Sequence, residues 1–403
     1  MQPIPKPKTI ILPTSKSECN RYLIVNALCG NQTEIKQISE ANDTQVLKNI
    51  LDNLAPDQTI DCQDAGTVAR FLTAFLAVQQ GSFTLVGSPR LQQRPIGILV
   101  DALNYLGAEI TYLGQNGCLP LHIKGTVLQR FSLKIDASIS SQYISALMML
   151  APTLEQGLEI NLLKKVSSEP YIRLTAHCLK AFGVDVLLKE TKITIKNQAF
   201  SPPKTITPEG DWSAASYWYG LVGLGFLPEL MMENLSNNGF QGDAILPEIF
   251  ADLGVKTTYL PENKGILLTK IPIKSSVFCY DFTPCPDLAP TLMSYCAAQG
   301  IEAKFEGLES LFIKESDRVR AMETELTKFG IKMRLENSVL YINGEQKLVS
   351  NQKTIEIGTH HDHRIAMAMA LWLAKGYKIL FEDKTVVAKS YPNFWEHLLY
   401  AQQ

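Results

Sequence analysis

The stretch "YLGAEITYL", residues 105–113, ends an apolar helical pattern at Leu106-Gly107 and then continues as an alternating, β-branched run. Glycine at such a junction supplies the left-handed residue that closes a helix, and the alternation after it suits a half-buried strand. The same grammar returns in "AFGVDVLL" (181–188), "DLGVKTTYL" (252–260) and "KFGIKMRL" (328–335). Their glycines, Gly107, Gly183, Gly254 and Gly330, stand 76, 71 and 76 residues apart, so the chain is built from a repeat.

A second series interleaves with the first: "DAGTVARFLTAFLAVQQG", "SQYISALMMLAPTLEQG", "DWSAASYWYGLVGLG", "DLAPTLMSYCAAQG" and "DHRIAMAMALWLAKG". Each opens on Asp64, Ser141, Asp211, Asp287 or Asp362 and closes at glycine, at spacings of 77, 70, 76 and 75. "SKSECNRYLIVNALCG" makes a sixth such helix in a shorter first unit. Asp and Ser at these positions are expected N-caps. The helices are apolar nearly all round, which predicts that they are the buried helix of each strand-and-helix unit. Packed in parallel, they would bring several N-termini toward one place, and helix N-termini attract anions.

With 403 residues the chain exceeds one ordinary core, so two domains are expected, and 46% hydrophobic with 19% charged residues is a globular composition. No apolar run reaches the length of a membrane span, and "MQPIPKPKTI" lacks a signal-peptide core, so a cytoplasmic location is expected. Eight scattered cysteines without C-x-x-C spacing predict buried free thiols. A net charge of −2 argues against a general nucleic-acid binder, so any anionic ligand must be held by a local cluster.

Such a cluster is present. Lys16, Arg21, Arg70 and Arg364 lie near the expected helix starts, and Arg94, Lys314, Arg318 and Lys389 lie in loop-like or helix-starting contexts. Singly, each reads as a solvated surface charge; together, in a near-neutral chain, they point to an anion. Ser17, Ser140, Ser141 with Gln142, and Ser168 accompany them and could cap helices or hold phosphate. Asp287 can be a plain cap or a catalytic carboxylate, and Glu315 an i,i+3 partner of Arg318 or an acid–base group. There is no P-loop, no dinucleotide fingerprint and no H-E-x-x-H, and the successive residues His360 and His361, with His363, cannot all face one ion. No metal and no cofactor is therefore expected.

Taken in order, "LPTSKSECNR", "DAGTVARFL", "PRLQQRPIG", "SISSQYISALMMLAP", "SSEPYI", "GDWSAASY", "QGD", "CPDLAP", "IKESDR", "HDHRIAMA" and "AKSYPNFW" resemble the 5-enolpyruvylshikimate-3-phosphate synthase family over residues 12–395. The resemblance implies an α/β fold of two similar domains, each of three βαβαββ units in an inside-out α/β barrel, with the buried helices pointing their N-termini at an interdomain cleft. It implies domains at residues 14–208 and at 1–13 plus 209–403, with crossovers near Pro13 and Glu209. The implied reaction joins shikimate 3-phosphate to phosphoenolpyruvate with release of phosphate. Asp287 matches the base for the substrate 5-hydroxyl, and Lys16 and Glu315 match the groups that handle the proton on C3. Ser17, Arg21, Ser140, Ser141, Gln142, Ser168, Ser310 and Lys314, with Lys16 and Asp287, match contacts to shikimate 3-phosphate. Gly66, Arg94, Gln142, Arg318, Arg364 and Lys389, with Lys16, match contacts to phosphoenolpyruvate. Small-molecule substrates are the only implied partners, a monomer is expected, and the free protein should open and close around its anions.

Some positions depart from the commonest pattern: Asp64 and His361 stand where Asn is usual, Phe71 where some members have Pro, and Ser310 where some have Asn. Asp64 would repel an anion, so it is expected to cap its helix or pair with Arg70. One rival is the sister transferase acting on UDP-N-acetylglucosamine, which has Lys-Asn where this chain has Lys16-Ser17 and a cysteine in a loop where residues 81–97 have none. A non-catalytic anion-binding relative and a metal-dependent hydrolase are the others.

Overall fold

The computed structural model describes residues 7–261, 264–344, 348–350 and 354–403, so the first six residues of the N-terminal stretch lie outside it. The chain divides into two compact units. The first is Lys16–Pro208, and the second joins Met1–Ser15 to Glu209–Gln403.

The first unit contains helices α1 (Lys16–Leu28), α2 (Asn42–Asp52), α3 (Gly66–Leu76), α4 (Gly97–Leu106), α5 (Ser141–Leu150) and α6 (Pro170–Ala181). Strand Thr59–Asp61, α3, strand Ser82–Val86, α4 and strands Glu109–Tyr112 and Leu121–Lys124 form one βαβαββ copy. Its first two strands pair in parallel across the crossover helix α3, and its last two form an antiparallel hairpin, as each type of connection requires. Strand Ser132–Ile135, α5, strand Leu158–Leu162, α6 and strands Leu187–Lys189 and Lys192–Ile195 repeat the pattern in the same spatial order. The third copy is shorter: α1, strand Glu34–Ile35 and α2, with Thr205–Ile206 as its parallel partner strand.

The second unit contains α7 (Trp212–Leu224), α8 (Leu246–Asp252), α9 (Ala289–Gln299), α10 (Arg318–Thr327), α11 (His363–Met369) and α12 (Phe394–Gln402). Strand Lys8–Ile11 pairs in parallel with Glu229–Glu233, so the whole first unit lies in sequence between that strand and α7. Two full βαβαββ copies are built here around α7 with α8 and α9 with α10. The third, around α11 and α12, has a two-stranded parallel sheet among the described residues. Four copies of the repeat are therefore complete and two are shortened.

The interleaved series of apolar helices forms the interior. In α11 every residue is buried, and in α7 every residue but Ser213, so neither helix has a solvent face. α1, α3 and α5 pack on one another in the first unit; α7 and α11 both pack on α9 in the second. A Cβ at Gly223 would stand 2.7 Å from the Tyr295 ring, so glycine there is what lets α7 approach α9 so closely. The opening glycines behave as read: Gly107 closes α4 at φ 114°, and Gly183, Gly254 and Gly330 also have positive φ.

The caps correct part of the sequence reading. Asp211 accepts from Ala214 N at 3.1 Å and Asp362 from Arg364 N at 2.9 Å, as expected. The cap of α5 is Ser140 rather than Ser141, since Ser140 Oγ accepts from Gln142 N at 3.2 Å. Asp64 does not cap α3, whose N-cap is Ala65 without a side-chain bond; its carboxylate accepts from the Ser88 hydroxyl instead. Asp287 lies in a 3-10 turn ahead of α9 and does not cap it. All eight cysteines are free, but Cys279 is exposed and Cys29 half-buried, because one sits on an edge strand and the other just past a helix end. No helix among the described residues is long and apolar enough to cross a membrane.

Candidate active site

In the first unit most of the expected residues sit at the starts of the inner helices α1, α3 and α5, while Arg94 and Ser168 lie ahead of α4 and α6. Lys16 opens α1 and donates to Asp43 Oδ2 on α2 at 3.1 Å, a partner the sequence did not suggest. One turn on, Arg21 is buried. It donates to Thr175 Oγ1 (2.8 Å), Ser145 Oγ (3.1 Å), the Ser17 carbonyl (2.7 Å) and the Tyr171 carbonyl (3.3 Å), between the Phe71 and Tyr171 rings. Burial pulls its pKa below the ordinary guanidinium value, and the hydroxyls and carbonyls that accept from it are neutral. An anion brought to such a charge meets little local competition.

The α3 and α5 starts meet where Gln142 Nε2 donates to Thr67 Oγ1 at 3.0 Å. Arg70 donates to the Gly66 and Pro95 carbonyls, both at 2.8 Å, and so ties the start of α3 to the loop carrying Arg94. Arg94 is 8% exposed, and its Nε has no partner among the described residues. A buried donor left unfilled suits a waiting anion. A Cβ at Gly66 would collide with both guanidinium groups, which is why glycine stands there. Ser168 is buried in a left-handed backbone at φ 58°, a strained position for serine, directly ahead of α6.

The second unit gathers the carboxylates. Asp287 Oδ1 accepts from Arg318 Nη1 at 2.8 Å and lies 3.6 Å from Lys314 Nζ, while its Oδ2 accepts from Arg364 Nη2 at 2.9 Å. Burial alone would raise its pKa, but Arg364, Lys314 and Arg318 overrule that and hold the carboxyl well below the usual range. Arg318, at the first position of α10, also bonds Glu315 Oε2 (2.7 Å) and Asp362 Oδ2 (2.8 Å). Burial works against its charge, yet Asp362, Glu315 and Asp287 keep it protonated. Arg318 was expected to clamp phosphoenolpyruvate; here its donors serve three carboxylates. Ser310 and Lys389 belong to this unit too, each in a 3-10 turn, and the Ser310 hydroxyl is buried without a partner among the described residues.

The histidines do not converge. His360 Nε2 lies 2.9 Å from Glu325 Oε1, whereas His363 is buried with Nδ1 3.7 Å from Asp362 Oδ1. The groups missed by sequence reasoning are Asp43, Ser213 and Asp243. Asp243 was visible only as the end of "QGD", and nothing in that triplet announces a buried carboxylate.

The model of the EPSP synthase (3-phosphoshikimate 1-carboxyvinyltransferase) family matches residues 53–398. A 3-phosphoshikimate 1-carboxyvinyltransferase of Bacteroides fragilis strain YCH46 is 40% identical over 392 residues, covering 97% of this chain and 94% of the relative. One from Methanospirillum hungatei is 34% identical over 415 residues, covering 96% and 94%. Among solved structures, EPSP synthase from Acinetobacter baumannii aligns with a TM-score of 0.73 at 22% identity, over 99% of this chain and 97% of that one. The enolpyruvyl transferase NikO from Streptomyces tendae aligns at 0.74 and 13% identity, over 99% and 95%, which speaks to the fold alone.

Proposed function

The chain belongs to the EPSP synthase (3-phosphoshikimate 1-carboxyvinyltransferase) family, and on that premise we propose that the residues gathered at the helix starts of its two units are its working groups. The enzyme transfers the enolpyruvyl group of phosphoenolpyruvate to the 5-hydroxyl of shikimate 3-phosphate. The hydroxyl oxygen bonds to C2 as C3 takes a proton, giving a tetrahedral intermediate. C3 then loses a proton as the C2–O bond to phosphate breaks.

Asp287 takes the hydroxyl proton. In the free protein it is a weak base because three cations hold it ionised. An anionic substrate that draws Arg364 or Lys314 away removes that restraint, so the base strengthens when the substrate arrives. Lys16 and Glu315 handle the proton on C3. Arg94, Arg318, Arg364, Lys389, Gly66 and Gln142 receive phosphoenolpyruvate, with Arg318 acting through the carboxylates it fixes. Ser17, Arg21, Ser140, Ser141, Ser168, Ser310 and Lys314 receive shikimate 3-phosphate. The observation that carries this assignment is the Arg364–Asp287 contact, which couples an anion-binding cation to the base.

The enzyme works in the cytoplasm as a monomer on these two small molecules, without nucleic-acid or membrane partners; light scattering during size exclusion checks the oligomeric state. Mixing both substrates with the protein should release phosphate, and Asp287→Ala should bind both while releasing it far more slowly. Phosphate release by that variant at a near wild-type rate would place the base elsewhere.

A further inference from the structure

The second unit holds a carboxylate that the steps above do not use. Asp243 is 3% exposed, at a short 3-10 turn between strand Glu229–Glu233 and α8. Its Oδ2 accepts from the Ser213 hydroxyl on the first turn of α7, and its Oδ1 has no partner among the described residues. Arg364 Nη2 reaches the same Ser213 Oγ at 3.4 Å while bonding Asp287 at 2.9 Å. Arg364 therefore stands between two carboxylates, one in direct contact and one linked through a hydroxyl.

We propose that Asp243 is a positioning residue for Arg364, holding its guanidinium through Ser213, and that the proton on Asp243 sets how much positive charge Arg364 offers to phosphoenolpyruvate. An ionised Asp243 would leave a charged oxygen buried without a donor, beside the ionised Asp287, and both features favour the neutral acid. Burial pushes its carboxyl up to about 7, with the charges of Asp287 and Asp211 adding to the rise and Arg364 and Ser213 opposing it. The other titratable groups near it are the Cys285 thiol and the Tyr280 hydroxyl, both themselves raised by burial. As a neutral acid Asp243 orients Arg364 without competing for its charge; once ionised, it competes with the incoming anion.

This inference rests on Arg364 receiving phosphoenolpyruvate, so Arg364→Ala is measured alongside. The test is the KM for phosphoenolpyruvate between pH 6 and 8.5 in wild type and in Asp243→Asn, which keeps the shape and cannot ionise. The ratio of wild-type to variant KM should rise about fivefold across that range as the wild-type carboxylate appears. Infrared difference spectra between the same pH limits should show the carbonyl stretch of a buried carboxylic acid disappearing in wild type, and no such band in the variant. A pH-independent KM ratio with an intact Arg364→Ala effect overturns the inference alone. An unchanged KM in Arg364→Ala sinks the clamp and this inference together. Should Asp243→Asn fail to fold, the wild-type spectrum still decides, because the lack of a titrating buried acid contradicts the proposal.

Discussion

Arg21 and Arg94 in the first unit and Arg318 and Arg364 in the second are buried cations held in different ways. In the first, Arg21 donates to hydroxyls and carbonyls, and Arg94 Nε has no partner among the described residues. In the second, Arg318, Arg364 and Lys314 lie against Asp287, Glu315 and Asp362. Neutral partners leave positive charge available, which suits phosphate capture. Carboxylate partners cancel it locally but tune acids and bases, which suits proton transfer. Lys16 departs from this pattern among the first unit's proposed site residues: it pairs with Asp43, and it is also that unit's proposed proton-transfer group.

The contrast can be broken most sharply at its centre. Asp287→Ala should reduce turnover roughly 10²- to 10⁴-fold with little change in substrate binding, read by phosphate release and titration of each substrate. Next, Arg318→Ala should cost about 3–5 kcal/mol of stability by taking a shared buried cation from three carboxylates, measured by denaturant unfolding. Because the folded-state pKa of Asp287 is depressed, its contribution is present above the ordinary carboxylate value and is lost on acidification. The wild-type advantage over Arg318→Ala should therefore hold from pH 7 to about 4 and narrow below that, as melting is followed down to about pH 2. An advantage that stayed constant would mean the cluster is not what Arg318 supports.

Arg364→Ala should raise the KM for phosphoenolpyruvate roughly 10- to 100-fold and that for shikimate 3-phosphate far less. Equal weakening of both would contradict its assignment. The smallest effect is expected in the first unit, at Gly66. Gly66→Ala should raise the KM for phosphoenolpyruvate several-fold, on the order of 1 kcal/mol, because the new methyl displaces Arg94 while leaving its charge in place. A collapse of kcat with unchanged KM would show that this site does more than hold an anion.

Some of this was legible in the residues and some was not, for identifiable reasons. Gly107, Gly183, Gly254 and Gly330 announced helix ends because the left-handed backbone there is a local demand that one residue type meets cheaply. Asp211 and Asp362 announced caps for the same reason, since the bond spans only two or three residues. Asp287 and Asp64 carried the same local signal and did something else, because a tertiary partner outbid the free amides: arginines for one and Ser88 for the other. The shortened copies around α1 and α11 were only half visible, because periodicity reports the helices that recur and says little about hairpins that do not.

By itself, the sequence determined the repeat, the buried character of the inner helices and the motif order that identifies the family, all of which are written in local spacing and residue type. The tertiary structure alone decided that Arg318 serves Asp287, Glu315 and Asp362, and that Asp243 is buried behind Ser213 and Arg364. Partners such as Arg364 and Asp287 lie 77 residues apart in the chain. Their Coulombic energy depends on distance and burial, and folding, unlike spacing along the chain, sets both.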